Sequence, residues 1–458
     1  MTAYTTVNPA TGETLREFDE LTADGAADVL DRSHRAFLSW RRTPLEVRTR
    51  VLARVAELYA ERRQELSELT TLEMGKPVRQ SGYEMDICKD IFAYYADNGP
   101  SFLADEELDV ARGGRAVVRK EAIGPLIGIM PWNFPHYQVA RFVAPNLMLG
   151  NTIILKHAPN CPQNALAMEQ IFREAGLPAD AYINVFATND QIADMIADPR
   201  VQGVSLTGSE RAGSAVAEVA GRNLKKVVLE LGGSDPFIVL DAPDLDATVK
   251  QAAGARLVNG GQACNAAKRF IVLEDVYDDF VEKLSASLGA VTPGDPTNPK
   301  TFVGPLSSTN AVDTLMGQID DAVAKGANVH TGGKRIDAAG AWVQPTVLTG
   351  VTPQMRAYTE ELFGPAAIVY KVASADEAVE LANASPYGLS GSVWSGDADK
   401  AAEVADRLDV GMAFVNEHGT TAADLPFGGV KRSGVGRELA QYGMDEFVNK
   451  KLVRITRR

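Results

Sequence analysis

Apolar positions along the chain fall into two textures. Up to residue 70 they recur at helical spacing: Leu45, Val51, Leu52, Val55, Leu58, Leu66 and Leu69 fall on helical faces, and Leu21-Thr22-Ala23-Asp24 offers an N-terminal cap, so 22–70 is predicted to be helical. From Glu121 the pattern changes to short apolar runs of β type, at 123–130, 152–155, 182–185, 203–206 and 226–229. Helical stretches near 136–149, 163–175, 189–197 and 210–220 alternate with them. Such alternation predicts an open parallel sheet wrapped by helices, an α/β fold. A second α/β unit begins with a strand at 237–240. It continues through a helix near 244–258, a strand at 270–273 and a helix at 276–289, with turns at Pro293-Gly294-Asp295-Pro296 and Gly332-Gly333. A hairpin at 103–120, carrying Asp105-Glu106-Glu107 and Gly113-Gly114, interrupts the first unit. Residues 451–455 read as a last strand, of the protruding kind that pairs between subunits. No internal repeat or low-complexity tract is evident.

Composition narrows the classes. A chain of 458 residues exceeds what one hydrophobic core supports, so two or three domains are expected. With 45% hydrophobic and 23% charged residues it is a folded protein rather than a disordered one. The net charge of −14 argues against a nucleic-acid partner, whose binding rests on a basic surface, but leaves room for a small anionic ligand held by one buried arginine. Residues 1–20 are polar and lack the apolar centre of a signal peptide. The longest apolar runs fall far short of the ~20 residues of a spanning helix, so no membrane partner is expected. Cys88, Cys161 and Cys264 show neither CxxC spacing nor a histidine cluster; neither a disulfide framework nor a metal site is expected, and a reducing cytoplasm fits.

A lone cysteine is ordinarily a small buried hydrophobe, the reading given to Cys88 and Cys161. Cys264 differs. It follows the turn Gly260-Gly261-Gln262-Ala263, has Lys268 and Arg269 four and five positions downstream, and stands against Glu230 of a second glycine-rich turn, Leu229-Glu230-Leu231-Gly232-Gly233. A thiolate that takes an acyl load and a carboxylate that activates water are the chemistry this offers. In Pro131-Trp132-Asn133-Phe134-Pro135 two prolines fix the backbone around an amide donor, as an oxyanion hole requires; a turn asparagine bonding its own backbone is the alternative. Thr207-Gly208-Ser209 ends a strand and opens a helix containing Gly213, a turn suited to an anion although it is not GxGxxG. Lys156 ends the strand before it and points to the crevice where nucleotides bind. Glu361-Leu362-Phe363-Gly364-Pro365 presents an acid and an aromatic on a Gly-Pro turn.

Together these motifs resemble the aldehyde dehydrogenase superfamily, from about residue 5 to the C-terminus. The stretches Lys156-His157-Ala158-Pro159, Leu229 to Pro236 and around Cys264 are most similar to bacterial succinate-semialdehyde dehydrogenases. The resemblance implies a Rossmann-like cofactor domain at 1–102 and 123–232, a catalytic domain at 233–432, and a β oligomerisation arm at 103–122 and 433–458 of a homo-oligomer, dimer or tetramer. It implies Cys264 as nucleophile, Glu230 as general base and Asn133 as oxyanion donor. Around the cofactor it implies Lys156 on the adenosine ribose, Gly208, Ser209 and Gly213 at the diphosphate, Glu361 on the nicotinamide ribose, Phe363 and Leu231 beside the nicotinamide, and Trp132 in the cleft wall. Arg141 would bind a distal carboxylate of the substrate, with Thr421 supplying a hydroxyl where relatives have a second arginine and this chain has Val258. Relatives that prefer NAD often carry a glutamate at the position of Pro159; its absence, together with a protonatable His157, leads to the expectation of both NAD and NADP.

The implied reaction is oxidation of an aldehyde, foremost succinate semialdehyde, to the acid through a Cys264 thiohemiacetal and thioester. Other readings of the same motifs are a broad dehydrogenase of uncharged aldehydes, a CoA-acylating enzyme, which would not need Glu230, and a non-enzymatic scaffold.

Overall fold

The computed structural model describes residues 4–111 and 113–456. Two sheets organise them. In the first, Gly434–Val435, Lys226–Glu230, Gly203–Thr207, Pro125–Met130, Thr152–His157 and Tyr182–Asn184 lie side by side in that order. All pairs are parallel except the outermost, where Gly434–Val435 runs antiparallel to Lys226–Glu230. The apolar runs become central strands because helices cover both faces: every residue of Gly203–Thr207 and Thr152–His157 is buried. The second sheet orders Asn328–Thr331, Thr346–Thr349, Ala366–Val372, Ala267–Leu273, Asp235–Val239, Ser390–Trp394 and Met412–Val415, parallel but for its first strand. The α/β reading of the sequence thus holds, with two open sheets.

The helices expected over 22–70 are three, Ala23–Trp40, Leu45–Glu61 and Arg63–Met74; the first is capped by Thr22, whose hydroxyl accepts from the Gly25 N–H at 3.1 Å. A fourth helix, Val78–Phe102, lies beyond the predicted stretch and packs on both Leu45–Glu61 and Pro135–Leu149. Glu106–Leu108, Arg115–Ala122 and Val448–Ile455 form a separate antiparallel sheet. Part of the segment expected in the arm therefore goes elsewhere: Gly434–Val435 closes the first sheet, because backbone pairing to the strand ending in Glu230 satisfies its open edge.

One helix matters most for the site. Pro135–Leu149 begins two residues after Asn133, with proline at its first position, and all 15 of its side chains are buried. Its free N-terminal N–H groups are satisfied by a carboxylate: Glu84 accepts from the His136 and Tyr137 amides at 2.8 and 3.1 Å. Glu84 is itself ion-paired with buried Lys76, whose ammonium lies 3.7 Å from the centre of the Phe134 ring. Glu73 caps the helix Pro162–Glu174 in the same way, accepting from the Gln163 and Asn164 amides at 3.0 and 2.9 Å. The two helices that follow Asn133 and Lys156 are thus both anchored by acids from one neighbourhood, around the turn that joins Arg63–Met74 to Val78–Phe102.

Candidate active site

Cys264 stands where two cavities meet. One, of about 270 Å³, is walled by Trp132, Asn133, Thr207, Gly208, Ser209, Glu230, Leu231, Glu361 and Phe363. The other, of about 230 Å³, is lined on its apolar side by Ile87, Phe134, Tyr137, Val258 and Phe427, with Thr421 and Asn265 at its edge. Cys264 and Gln138 belong to both.

Backbone geometry brings the two glycine-rich turns together. Asn259, Gly260 and Gly261 all take positive φ (52°, 61° and 76°), folding the chain sharply ahead of Cys264. A β-carbon at Gly233 would lie 2.5 Å from the Cys264 carbonyl oxygen, and one at Gly232 would lie 2.5 Å from Glu361 Oε2. The two glycines after Glu230 are therefore the space that the Cys264 loop and Glu361 occupy.

Asn133 is held from both ends. Its Nδ2 donates to the Gln262 carbonyl at 3.0 Å, and its own carbonyl accepts from Asn259 Nδ2 at 2.8 Å. An amide nitrogen carries two protons, so the second remains for a ligand. Burial pushes the Cys264 thiol up to about 12; Arg141 and Lys268 draw it down, whereas Glu361 and Glu230 add to the rise. It is a protonated thiol that needs a base or a change of field before it can attack. Burial also holds Glu230 well above the carboxylate range, against the pull of Arg141 and with a further push from Glu438; among the described residues neither of its oxygens has a hydrogen-bond partner.

The larger cavity suits a dinucleotide. Among the described residues, Thr207 Oγ1, Asn133 Oδ1 and both Glu230 oxygens are buried in its wall without hydrogen-bond partners, whereas Lys156, at the carboxyl end of its strand, lies outside that wall with its ammonium 5.7 Å from the centre of the Tyr4 ring. Ser209 caps the helix Glu210–Arg222, its hydroxyl accepting from the Ala212 N–H at 3.3 Å, so its proton stays free for an anion at that N-terminus. Trp132 and Phe363 meet edge to face at 5.7 Å. Gly213 lies outside the cavity wall, one turn into the helix, where a β-carbon would strike Leu231 at 2.6 Å. Pro159 is likewise outside it, its carbonyl accepting from the Thr5 N–H at 3.0 Å.

Two sequence expectations change. His157 was expected to attract a phosphate when protonated. It is instead fully buried: Nε2 donates to the Pro135 carbonyl at 3.0 Å while Nδ1 accepts from the Ala158 N–H at 2.8 Å, and burial lowers its pKa to about 4. It is neutral and structural. Arg141 does not line the mouth; it lies behind Tyr137 and Phe427, its guanidinium 4.8 and 4.2 Å from their ring centres, with Nε 2.7 Å from Glu438 Oε2. Among the described residues, neither this Nε nor Nη2 has a hydrogen-bond partner. Among the described residues no group of three or more His, Cys, Asp or Glu could hold a metal ion, and no helix is long and apolar enough to cross a membrane.

The sequence matches the aldehyde dehydrogenase family over residues 1–453. The chain belongs to that family. As an aldehyde dehydrogenase it is an NAD(P)-dependent enzyme that oxidises an aldehyde to the acid. It is 56% identical over 451 residues to a succinate-semialdehyde dehydrogenase [NADP(+)] of Deinococcus radiodurans, covering 98% of this chain and 94% of that one. It is 44% identical to succinate-semialdehyde dehydrogenase [NADP(+)] 1 of Mycobacterium tuberculosis, covering 98% of both. The crystal structure of succinic semialdehyde dehydrogenase from Streptococcus pyogenes with NADP+ superposes with a TM-score of 0.97 at 44% identity, over 99% of this chain and 100% of that one. An NAD-dependent aldehyde dehydrogenase of Sinorhizobium meliloti gives 0.95 at 34%, over 99% and 91%.

Sequence reasoning missed several residues of this dehydrogenase's site. Gln138 touches both cavities, and its buried Oε1 has no partner; its place five residues after Asn133, on a helix opened by proline, was the available signal. Tyr137, Phe427, Glu84 and Glu438 gave none, since only the fold brings them near Cys264.

Proposed function

We propose that this enzyme oxidises succinate semialdehyde to succinate, with NADP+ preferred and NAD+ accepted. The observation that carries the reading is the position of Cys264 at the junction of the cleft walled by Ser209, Glu230 and Glu361 and a mouth behind whose Tyr137 and Phe427 rings lies a buried arginine. Relatives bearing that name and cofactor support it.

The residues divide the work. Cys264 adds to the aldehyde carbon, and Asn133 Nδ2 and the Cys264 backbone N–H face the oxygen on which charge develops. The bound nicotinamide supplies a hydride acceptor. Glu230, with no partner on either oxygen, takes a proton from water that attacks the thioester on Cys264. Lys156, Gly208, Ser209 and Glu361 hold the dinucleotide, and Trp132, Leu231 and Phe363 wall it. With Pro159 in place of an acid, nothing at that position repels a 2′-phosphate, while neutral His157 does not attract one. Arg141 draws the substrate carboxylate through its unpaired Nη2, beside Tyr137 and Thr421.

The edge strand Val448–Ile455 leaves Leu452 and Ile455 61% and 49% exposed. We assign it, with 103–122, to pairing in a homo-oligomer, with 1–102 and 123–232 as cofactor domain and 233–432 as catalytic domain. A reducing cytoplasm suits an enzyme that works through a thiol.

Initial rates with succinate semialdehyde and with butanal, each with NADP+ and NAD+, test this. A preference of roughly 10² or more in kcat/KM for the semialdehyde is expected of an anchored carboxylate. Equal rates overturn the substrate assignment and favour the second reading, an enzyme for uncharged aldehydes, to which the pairing of Arg141 with Glu438 and the apolar lining of the mouth also speak.

A further inference from the structure

Two buried cations brace the loop that carries Cys264. Arg256 donates to the carbonyls of Gly261 and Ala267 at 2.6 and 2.9 Å. Lys268 donates to those of Ala263, Cys264 and Ala266 at 3.1, 2.7 and 3.3 Å. Arg256 serves only backbone, whereas Lys268 also lies 3.1 Å from Glu361 Oε1. That carboxylate accepts from the Gly233 N–H at 3.2 Å and borders the cofactor cavity. An ammonium has three protons, and four oxygens surround this one. Its bonds are shared, so whatever engages Glu361 alters what Lys268 offers the nucleophile loop.

We propose that Lys268 is a positioning residue that couples the cofactor cleft to the nucleophile, a single ammonium serving both the Cys264 carbonyl and the Glu361 carboxylate. The proposal rests on the reading of Cys264 as nucleophile and deepens it. The charges facing the thiol are Arg141 and Lys268 on one side of the balance and Glu361 and Glu230 on the other, with the Tyr137 hydroxyl nearby. Asp235 faces Lys268 from the adjoining strand and is bonded to the backbone N–H and hydroxyl of Ser390. Within this set, Lys268 and Glu361 are a pair of opposite sign in direct contact. While paired, they largely cancel at the sulfur. When Glu361 turns toward the hydroxyls of a ribose, the ammonium is less compensated and its field favours the thiolate. Cofactor binding thereby readies the nucleophile through residues of this chain.

The test reads the thiol in the cofactor-free, full-length enzyme. Alkylation of Cys264 by iodoacetamide is followed against pH, with peptide mapping to separate it from buried Cys88 and Cys161. Charge coupling predicts opposite changes in the single variants. At a pH below the thiol midpoint, Lys268→Met slows alkylation about tenfold and Glu361→Gln speeds it by a similar factor, as a one-unit displacement of the profile requires. The double variant returns to within about threefold of wild type. Adding NADP+ speeds alkylation in the wild type and not in Lys268→Met. A purely structural brace shifts both single variants the same way, and that result, or no shift in either, overturns the proposal. If Lys268→Met does not fold, Glu361→Gln, which leaves the lysine–carbonyl bonds in place, decides alone: unchanged or slower alkylation overturns the coupling. Absence of Cys264 labelling in the wild type would instead overturn the nucleophile reading itself.

Discussion

The Nε of Arg141 lies 2.7 Å from Oε2 of Glu438, both side chains almost wholly shut off from solvent, so the residue best placed to hold a substrate carboxylate already holds one of the protein's own. Its charge is shared, and among the described residues neither Nε nor Nη2 has a hydrogen-bond partner, Nε meeting Glu438 as an ion pair alone. Arg141→Lys keeps a cation but loses the fork geometry. It should raise KM for succinate semialdehyde about tenfold or more while leaving that for butanal within about twofold. Arg141→Ala also strands the Glu438 carboxylate, a loss of about 3–5 kcal/mol for a buried pair. Adding Glu438→Gln should restore the melting temperature but not the KM.

Glu230, proposed as the general base, is also costly to the fold. Its carboxyl is held well above the usual range by burial, so between the unfolded and folded pKa values the folded protein binds more protons than the unfolded one. Its contribution to stability is therefore fully present below the unfolded value and is lost as pH rises through the folded one. Glu230→Gln should raise the melting temperature, by more at pH 8 than at pH 5. The same variant should keep a single-turnover burst of reduced cofactor and lose about 10²–10⁴ of steady-state turnover. It should also lose the ascending limb of the wild-type pH–rate profile.

Asn133 is fixed by the Gln262 carbonyl and by Asn259, leaving one amide proton for the reaction. Asn133→Ala should lower kcat by about 10²–10³ with the dissociation constant for the dinucleotide, measured by fluorescence titration, within about threefold of wild type. Near-normal turnover would remove the residue from the mechanism.

Lys76 and Glu84 make a different kind of demand. Glu84 holds two amides at the start of the helix that carries Tyr137, Gln138 and Arg141, and Lys76 compensates its charge. Lys76→Met alone leaves that carboxylate buried and uncompensated, and denaturant melts should show a loss of about 3–5 kcal/mol. Lys76→Met with Glu84→Gln should recover most of it, because an amide oxygen can still accept from the helix N-terminus.

What the sequence reveals follows from how far each signal reaches along the chain. The strand Thr152–His157 is legible because a central parallel strand is apolar on both faces, and the cap at Thr22 because capping is a matter of three residues. The Cys264 and Glu230 turns announce themselves through glycines, which the structure explains by the close approach of Glu361 and the Cys264 carbonyl. The helix Val78–Phe102 escapes because Gly82, Gly99 and Pro100 break its local pattern; packing against two distant helices sustains it. Glu438 escapes for the same reason: nothing near position 438 in the sequence signals a partner at 141. His157 misleads in the opposite direction, since composition shows a titratable ring and only the fold shows both nitrogens already engaged.

The pairing of Gly434–Val435 with the strand that ends in Glu230 also has a temporal side. Ser433 locks that turn from 201 positions further along the chain, its hydroxyl donating to the Gly232 carbonyl and its own carbonyl accepting from the Leu231 amide. During synthesis the thiol and its base leave the ribosome long before the segment that aligns them. A nascent chain halted or clipped ahead of Ser433 carries both reactive groups in its sequence but has neither the closing strand nor Glu438. Turnover is thus expected only of chains translated through that point, and a cut there should lower activity although it leaves Cys264, Glu230 and Asn133 untouched.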